Sequence, residues 1–229
     1  FRGGGSLEPV SGSRRAFLVG AASSLAVLPL LSLARISRPG APALIRPPGA
    51  LPGETFLDLC ARCGECMKTC PTGALHPAVL QGGVEDLFTP VLIPRLGPCE
   101  YNCSACGTVC PTGALQRLQL DEKRLWMMGK ARIDKDRCIP WSRGEECLVC
   151  EEVCPVTGKA IRFKQGWGSA PNMVERLPYV LEEECIGCGN CEYACPVEGD
   201  SAIRVVAIAP DERGFKDSGG GVIKARRRY

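Results

Sequence analysis

Sixteen cysteines divide the sequence into four sets of four, with none left over. In every set the last three cysteines keep the spacing C-x2-C-x3-C, and proline follows the last one. The sets are Cys60, Cys63, Cys66 and Cys70; Cys99, Cys103, Cys106 and Cys110; Cys138, Cys147, Cys150 and Cys154; and Cys185, Cys188, Cys191 and Cys195. Thiolates crowded in this way are metal ligands, because soft sulfur donors select iron–sulfur centres and zinc.

The spacing favours iron–sulfur ligation over single ions. The first and fourth sets read C-x2-C-x2-C-x3-C-P, the spacing that holds [4Fe–4S] clusters in bacterial proteins. A cubane offers one site on each of four irons, so three thiolates on a tight loop and a fourth beyond it complete the ligation. We therefore predict four [4Fe–4S] clusters with all sixteen cysteines as iron ligands.

Two other uses of cysteine fit the sequence less well. Zinc sites usually combine two C-x2-C pairs across a long loop, whereas these cysteines form dense quartets. Disulfide scaffolds vary their spacing and rarely place proline after every fourth cysteine. His76 is the only histidine, so a Rieske centre, which needs two, is excluded. Haem-attachment, Walker and dinucleotide-binding patterns are missing too, and we expect His76 to lie at the surface.

Composition indicates that the metal centres support the fold. Aromatic residues make up 6% of the chain, whereas glycine and proline number 27 and 19, which is a poor basis for a large apolar core. Bound metal then has to supply part of the folding free energy. The formal charge of +3 becomes roughly −5 once four ligated clusters at −2 each are counted. The basic residues thus give no argument for nucleic-acid binding.

The N-terminal part predicts export. Residues 13–18 read S-R-R-A-F-L, and the apolar run 16–34 follows Arg14 and Arg15. This pattern is typical of a twin-arginine signal, a route that carries folded proteins. We assign residues 1–34 to a signal or membrane-anchor helix. The run is about long enough to contact or cross a bilayer, and Ser32-Leu33-Ala34 offers a cleavage site, so both fates stay open.

The remaining chain divides by composition. Residues 35–53 are rich in proline and predict an extended linker, and residues 211–229 predict a mobile basic tail. Between them, residues 54–210 repeat a unit of roughly 40 residues, predicting strand, cysteine loop, short helix and strand. Residues 163–177 predict an exposed hairpin or loop.

The connections between the cysteine sets carry further predictions. Residues 76–98 and 116–130 contain apolar residues that we expect to pack over the clusters: Val79, Leu80, Leu87, Phe88, Leu118, Leu120, Leu125 and Trp126. The third set has eight residues between its first two cysteines, including Pro140 and Trp141. That insertion either shields a cluster from water or forms a docking surface.

The four quartets, the C-x3-C and C-x8-C variants in the middle two, and residues 13–18 resemble the MauM/NapG family of ferredoxin-type proteins. The resemblance implies an α+β fold of two bacterial-type 2[4Fe–4S] ferredoxin-like modules. It also implies an electron carrier, not an enzyme, in the periplasm or at the outer face of the cytoplasmic membrane. Its partners would be a membrane quinone-linked redox protein and a terminal oxidoreductase. A permanent subunit of a membrane-bound complex and an electron donor for maturation of a partner enzyme are alternatives.

The resemblance also bears on which fourth cysteine completes which cluster. In the four-cluster subunits of molybdenum oxidoreductases the first motif pairs with the fourth and the second with the third. By similarity we predict nested pairing. Cys195 would then join the first three cysteines of the first set, and Cys70 those of the fourth; Cys154 would join the second set, and Cys110 the third. Sequential pairing, first with second and third with fourth, is the alternative, since cross-ligation alone does not choose between them.

Overall fold

The structure is a computed structural model, and it describes residues 44–79, 81–167, 174–208, 214–216 and 222–224. The predicted signal or anchor helix, with Arg14 and Arg15, lies outside the described residues. Among the helices within those ranges, none combines the length and the apolar character that crossing a bilayer requires.

Seven short helices and nine short strands alternate along the described chain. The helices are α1 (Gly53–Leu59), α2 (Glu65–Lys68), α3 (Ala105–Thr108), α4 (Leu120–Leu125), α5 (Ile139–Arg143), α6 (Val149–Glu152) and α7 (Asn190–Ala194). The strands are β1 (Leu75–Pro77), β2 (Pro90–Leu92), β3 (Trp126–Met127), β4 (Gly129–Ile133), β5 (Ile161–Trp167), β6 (Val174–Val180), β7 (Ile203–Ala207), β8 (Gly214–Lys216) and β9 (Val222–Lys224). The strand pairs are antiparallel, which makes the fold α+β.

Residues 129–207 form a module that its own first and last strands close. Strand β4 pairs with β7, so that Gly129 lies opposite Ala207, and β5 pairs with β6 inside this outer pair. The cysteine loops of the third and fourth sets connect the outer strands to the inner ones. The β5–β6 pair confirms the predicted hairpin around residues 163–177.

Residues 50–115 repeat this arrangement with shorter strands. Ala50 forms an antiparallel bridge with Leu115, and β1 pairs with β2 inside that bridge. Here the first and second cysteine sets connect the outer positions to the inner strands. The chain therefore contains two ferredoxin-like modules in sequence, each with its own pair of neighbouring cysteine sets.

The proline-rich segment before the first set is not an extended linker where the structure describes it. Ile45, Ala50 and Leu51 are buried, and the Leu92 amide donates to the Ile45 carbonyl at 2.8 Å. At Gly49, with φ +80°, a Cβ would lie 2.5 Å from the Gln116 carbonyl oxygen. The prediction for residues 35–53 is thus wrong from residue 44 onward. Apolar periodicity in the sequence did not indicate this burial, because the segment is irregular and buries consecutive residues.

The C-terminal residues also depart from the prediction. Strand β8 pairs with β3, with Phe215 opposite Trp126, and β9 pairs with β8. The tail assigned to residues 211–229 therefore includes two strands, which form a three-stranded sheet with β3. Arg226, Arg227 and Arg228 lie outside the described residues.

The two modules share one apolar core. Ile186, Cys188 and Val205 of the second module pack in the same buried cluster as Phe56 and Leu92 of the first. A smaller cluster around Ala131, Ile161 and Ile203 belongs to the second module alone. The shared core holds the modules, and hence their cysteine loops, against each other.

Candidate metal centres

Each cysteine set adopts the same local structure. The third cysteine lies in a single-turn helix, and the fourth follows that helix directly before a proline; the four helices are α2, α3, α6 and α7. Gly64 and Gly189 precede α2 and α7 with φ of +79° and +85°, a conformation that glycine adopts without strain. This turn curls the loop so that its cysteines converge. All sixteen cysteines are free thiols.

The thiols converge in four groups, each made of three cysteines from one set and the fourth of its neighbour. We name them by their order along the chain. Group 1 contains Cys60, Cys63, Cys66 and Cys110. Group 2 contains Cys99, Cys103, Cys106 and Cys70. Group 3 contains Cys138, Cys147, Cys150 and Cys195. Group 4 contains Cys185, Cys188, Cys191 and Cys154.

The grouping is sequential, and the nested pairing that we predicted is wrong. Cys70 lies with Cys99, not with Cys185, and Cys195 lies with Cys138, not with Cys60. The reason is strand pairing. Because β1 pairs with β2, and β5 with β6, each pair brings consecutive cysteine loops to one module.

Three of the groups surround measurable cavities. The cavities at groups 2 and 4 each have a volume of about 20 Å³, and the cavity at group 3 has a volume of about 30 Å³. Their other lining residues are mainly apolar, including the proline that follows the contributed fourth cysteine in each case. These sites are therefore mainly apolar, with cysteine as the main reactive group.

Hydrogen-bond donors point at several sulfurs. The amides of Leu115 and Ala131 donate to Cys110 Sγ and Cys185 Sγ at 3.4 and 3.3 Å. Asn190 Nδ2 lies 3.5 Å from Cys188 Sγ. Donors at sulfur stabilise a thiolate and tune the potential of the iron that it ligates.

Burial raises the pKa of seven of these thiols, which makes them weaker acids until a metal displaces the proton. It raises the pKa of Cys66 and Cys188 to about 11 and of Cys106 and Cys150 to about 12, with nearby thiols adding to the effect. Cys110 differs. Burial works to raise its pKa, but hydrogen bonds from Leu115, Thr112 and Gly113 together bring the pKa below its ordinary value.

The residues fit a cluster better than a single ion. In a tetrahedral zinc site with Zn–S bonds of about 2.3 Å, the sulfurs lie only about 3.8 Å apart. Among the described residues, which include all sixteen cysteines, no three His, Cys, Asp or Glu side chains are close enough to hold one ion. The thiols instead surround a cavity, and hydrogen-bond donors point at their sulfurs. This arrangement matches the four cysteine ligands of a [4Fe–4S] cubane.

The four groups lie in a row in the order 1, 2, 4, 3. Cys66 of group 1 is close enough to Cys106 of group 2 to raise its pKa. Cys99 of group 2 and Cys188 of group 4 are joined by a backbone hydrogen bond of 2.7 Å. Cys150 of group 3 in turn raises the pKa of Cys191 of group 4. Groups 1 and 3 are therefore the ends of the row.

The insertion in the third set covers one end of this row. Pro140 is buried and lines the cavity of group 3, as the shielding interpretation requires. Trp141 donates from Nε1 to the Pro178 carbonyl at 3.0 Å, and the Lys135 and Lys164 ammonium groups lie 4.4 and 5.0 Å from its ring centroid. The insertion thus covers group 3, with Pro140 against the cavity and with Trp141 in contact with the lysines of two neighbouring segments.

The apolar connections pack differently from the prediction. Leu118 and Trp126 are buried, but Leu120, Leu125, Val79 and Phe88 are exposed. Leu87 is partly exposed, and Leu80 lies outside the described residues. His76, expected at the surface, is half-buried in β1, and among the described residues its buried Nε2 has no hydrogen-bond partner.

Sequence reasoning missed three cationic side chains, which the structure places in the core or in contact with the other module. Arg46 and Lys123 are buried, and Arg95 donates to carbonyls of the other module. Arg46 and Arg95 lie in segments without periodicity, so no pattern marks them. Lys123 is one of four consecutive charged residues in α4, so the sequence does not distinguish it from its neighbours.

Comparison with known proteins places the chain in a family. The family model described as "4Fe-4S binding domain" matches residues 55–76 and 178–199, around the first and fourth cysteine sets. The methylamine utilization ferredoxin-type protein MauM of Methylorubrum extorquens is 36% identical over 93% of this chain and 96% of that protein. The ferredoxin-type protein NapG of Escherichia coli K12 is 33% identical over 89% of each chain.

These relatives are ferredoxin-type electron-transfer proteins rather than enzymes, and they extend along nearly the whole sequence. Together with the cysteine loops, the matches establish that the protein binds [4Fe–4S] clusters and transfers electrons. The chain belongs to the MauM/NapG family of ferredoxin-type iron–sulfur proteins.

Proposed function

We propose that the protein carries four [4Fe–4S] clusters, one at each cysteine group, and relays electrons between a membrane quinone-linked partner and a terminal oxidoreductase. When bound, each cluster supplies one-electron redox chemistry. The observation that carries the proposal is the row of four groups, in which each group has a neighbour close enough to influence its thiols.

The side chains support electron transfer without substrate chemistry. Every group has four thiols, so a bound cubane would have a cysteine at each iron and no open position. The cavities are lined mainly by apolar residues, and the amides of Leu115 and Ala131 donate hydrogen bonds to two of the sulfurs. Such a site changes charge with little rearrangement.

The ends of the row are the places where partners would exchange electrons. In group 1, Cys63 is exposed, unlike the other fifteen cysteines. At group 3, the basic outer side of Trp141, with Lys135 and Lys164, faces outward. We assign one partner to each end, with the acidic partner at group 3.

The location follows from the N-terminal sequence. Arg14, Arg15 and the apolar run 16–34 support export by the twin-arginine route to the periplasm or the outer face of the cytoplasmic membrane, and the run offers a membrane contact. Replacing both arginines with lysine in a tagged chain should leave the protein in the cytoplasm. Unchanged periplasmic recovery would contradict this location.

A redox titration followed by EPR tests the cluster number. We expect four [4Fe–4S] centres in the purified holoprotein, with four irons and four labile sulfides at each site. Two or fewer centres would overturn the proposal. Purification in constant stoichiometry with other subunits would instead favour a permanent place in a complex.

A further inference from the structure

Lys123 in α4 is buried without a carboxylate partner. Its side chain is fully covered, and its ammonium donates to the main-chain carbonyl of Glu100. The ring centroid of Tyr101 lies 5.8 Å from Nζ. None of the ion pairs among the described residues includes Lys123. An isolated buried ammonium is costly unless an anion lies nearby.

The nearby anion is a thiolate of group 2. Lys123 donates to the carbonyl of Glu100, the residue that directly follows Cys99, and Glu100 and Cys99 both line the cavity of group 2. Cys99 is itself buried. Because the medium is apolar, this charge acts on group 2 with little screening.

Within the described ranges Arg46 is the only other buried cation, and Arg95, which donates to the Cys195 carbonyl of group 3, is half-buried. Near group 1, Arg46 is close to Cys60, but it is paired with the Asp86 carboxylate, so that its charge is compensated locally. Near group 3, the charge of Asp134 acts on Cys138 and has the opposite sign. In α7 of group 4, the buried neighbour of Cys191 is Glu192, also an acid.

We propose that Lys123 raises the reduction potential of the centre held by Cys99, Cys103, Cys106 and Cys70 above the potentials of the other three centres. Reduction adds a negative charge to the site, and the ammonium stabilises the reduced form more than the oxidised form. This inference rests on the proposed four-cluster function. Since group 2 adjoins the module boundary, the most easily reduced site lies inside the row and not at an end.

The test is an EPR-monitored redox titration of the full-length holoprotein. Lys123→Met should lower one of the four midpoint potentials and make the reduced-to-oxidised ratio of that centre at least tenfold smaller at a fixed potential, a shift of about 59 mV for one electron. The other three potentials should stay within error. Lys123→Arg, which keeps the charge, should restore most of the wild-type potential.

Lys159→Met is the matched control. Lys159 donates to the carbonyls of Glu151 and Glu152 at 2.9 Å, near group 3, but it is only half-buried, so solvent screens its charge. It should change stability without moving any potential. The inference is overturned if Lys123→Met leaves all four midpoint potentials at wild-type values. It is also overturned if Lys159→Met shifts one midpoint potential by as much as Lys123→Met does.

A second measurement does not depend on the folding of the Lys123 variants. Cys103→Ser alters the EPR signal of group 2 alone, which identifies that signal in the otherwise unchanged chain. The identified signal must have the highest midpoint potential of the four, and a different signal in that place overturns the inference. The count of signals tests the four-cluster function separately, because it does not depend on the order of their potentials.

Discussion

The backbone amide of Cys99 donates a hydrogen bond of 2.7 Å to the carbonyl of Cys188. These two cysteines belong to different modules and to adjacent groups of the row. The link places group 2 against group 4 by main-chain atoms, which no side-chain substitution removes. Side chains near this hydrogen bond can still change the free energy that holds the two modules together.

We expect Arg95 to be the side chain that contributes most to this free energy. Its guanidinium donates to the carbonyls of Glu192, Cys195 and Val197, at the end of α7 in the other module. We expect Arg95→Ala to lower the free energy of unfolding by about 2 kcal/mol, since several charge-assisted hydrogen bonds are lost. Urea unfolding of the holoprotein measures this.

Arg62→Ala is the control for Arg95. Arg62 also donates to two carbonyls, those of Glu85 and Leu87, but within the first module and at the surface. Its loss should leave the cooperativity of unfolding intact, whereas Arg95→Ala should separate the unfolding of the two modules. Identical unfolding curves for the two variants would contradict the role of Arg95 in holding the two modules together.

Gly187 should not tolerate a side chain. Its φ is +72°, and a Cβ would lie 2.5 Å from the backbone nitrogen and oxygen of Gly129 in β4. We expect Gly187→Ala to displace the fourth cysteine loop and to abolish cluster loading at group 4, measured as a loss of iron per chain.

Gly113 separates backbone strain from the clash. It has the same φ of +72°, but a Cβ there would meet no atom within 4 Å. Gly113→Ala should cost only the strain of a left-handed alanine, about 1 kcal/mol, and retain full iron content. Equal iron loss in both alanine variants would mean that the contact with Gly129 is unimportant.

The Arg46–Asp86 ion pair should stabilise the first module only as a pair. The two side chains are 6% and 16% exposed, and the Arg46 guanidinium lies 4.8 Å from the Phe56 ring centroid. Asp86→Ala leaves a buried charge and should destabilise the protein by about 3 kcal/mol in thermal unfolding. The double variant Arg46→Met, Asp86→Ala should recover much of that loss.

An exposed pair provides the comparison. Asp121 and Arg124 form an ion pair on α4, with Asp121 90% exposed. Asp121→Ala should therefore change stability little, because solvent screens such pairs. A similar loss for Asp121→Ala and Asp86→Ala would show that burial of the pair is not the cause.

Sequence reasoning reached the metal chemistry but not its arrangement. The C-x2-C-x3-C-P spacing is local, so it indicated the loops around Cys66 or Cys191 directly. Which loop meets which is a long-range property. It depends on strand pairs such as Leu75 opposite Leu92, three-residue strands with no alternating pattern long enough to recognise. Similarity to another four-cluster arrangement supplied the nested pairing, and the strand pairs contradict it.

Charge placement was equally out of reach. Lys123 and Arg46 look like ordinary surface residues in the sequence, since lysine and arginine are seldom buried. Their burial depends on partners far along the chain, namely the carbonyl of Glu100 and the carboxylate of Asp86. No local pattern encodes such partners.

Metal removal should unfold most of the chain. The core is small, and the cysteine loops occupy the space between the strands and helices, so the thiols lose their common anchor when iron leaves. Anaerobic chelation should abolish most of the circular dichroism signal of folded structure. A spectrum unchanged by chelation would show that the apolar core alone keeps the chain folded without metal.

Any folded metal-free chain should lose stability in alkaline solution. The pKa of Cys66 and Cys138 is about 11 in the fold, against an ordinary value of 9.0. The folded chain therefore holds these protons more tightly, and its stability, intact below about pH 9, falls as the pH rises towards 11. Chemical unfolding of the fraction of reduced metal-free protein that remains folded, followed from pH 8 to pH 11, measures the slope. Stability that rose over this range would contradict the burial of these thiols.

The closure of each module by its own ends has a consequence for synthesis on the ribosome. Ala50 meets Leu115, so the first module is complete once that residue has emerged from the ribosome, before β4 emerges. The second module must wait for β7, which pairs with the much earlier β4. Groups 1 and 2 can thus be filled while the second half is still being translated, and maturation has a built-in direction from the N-terminus onward.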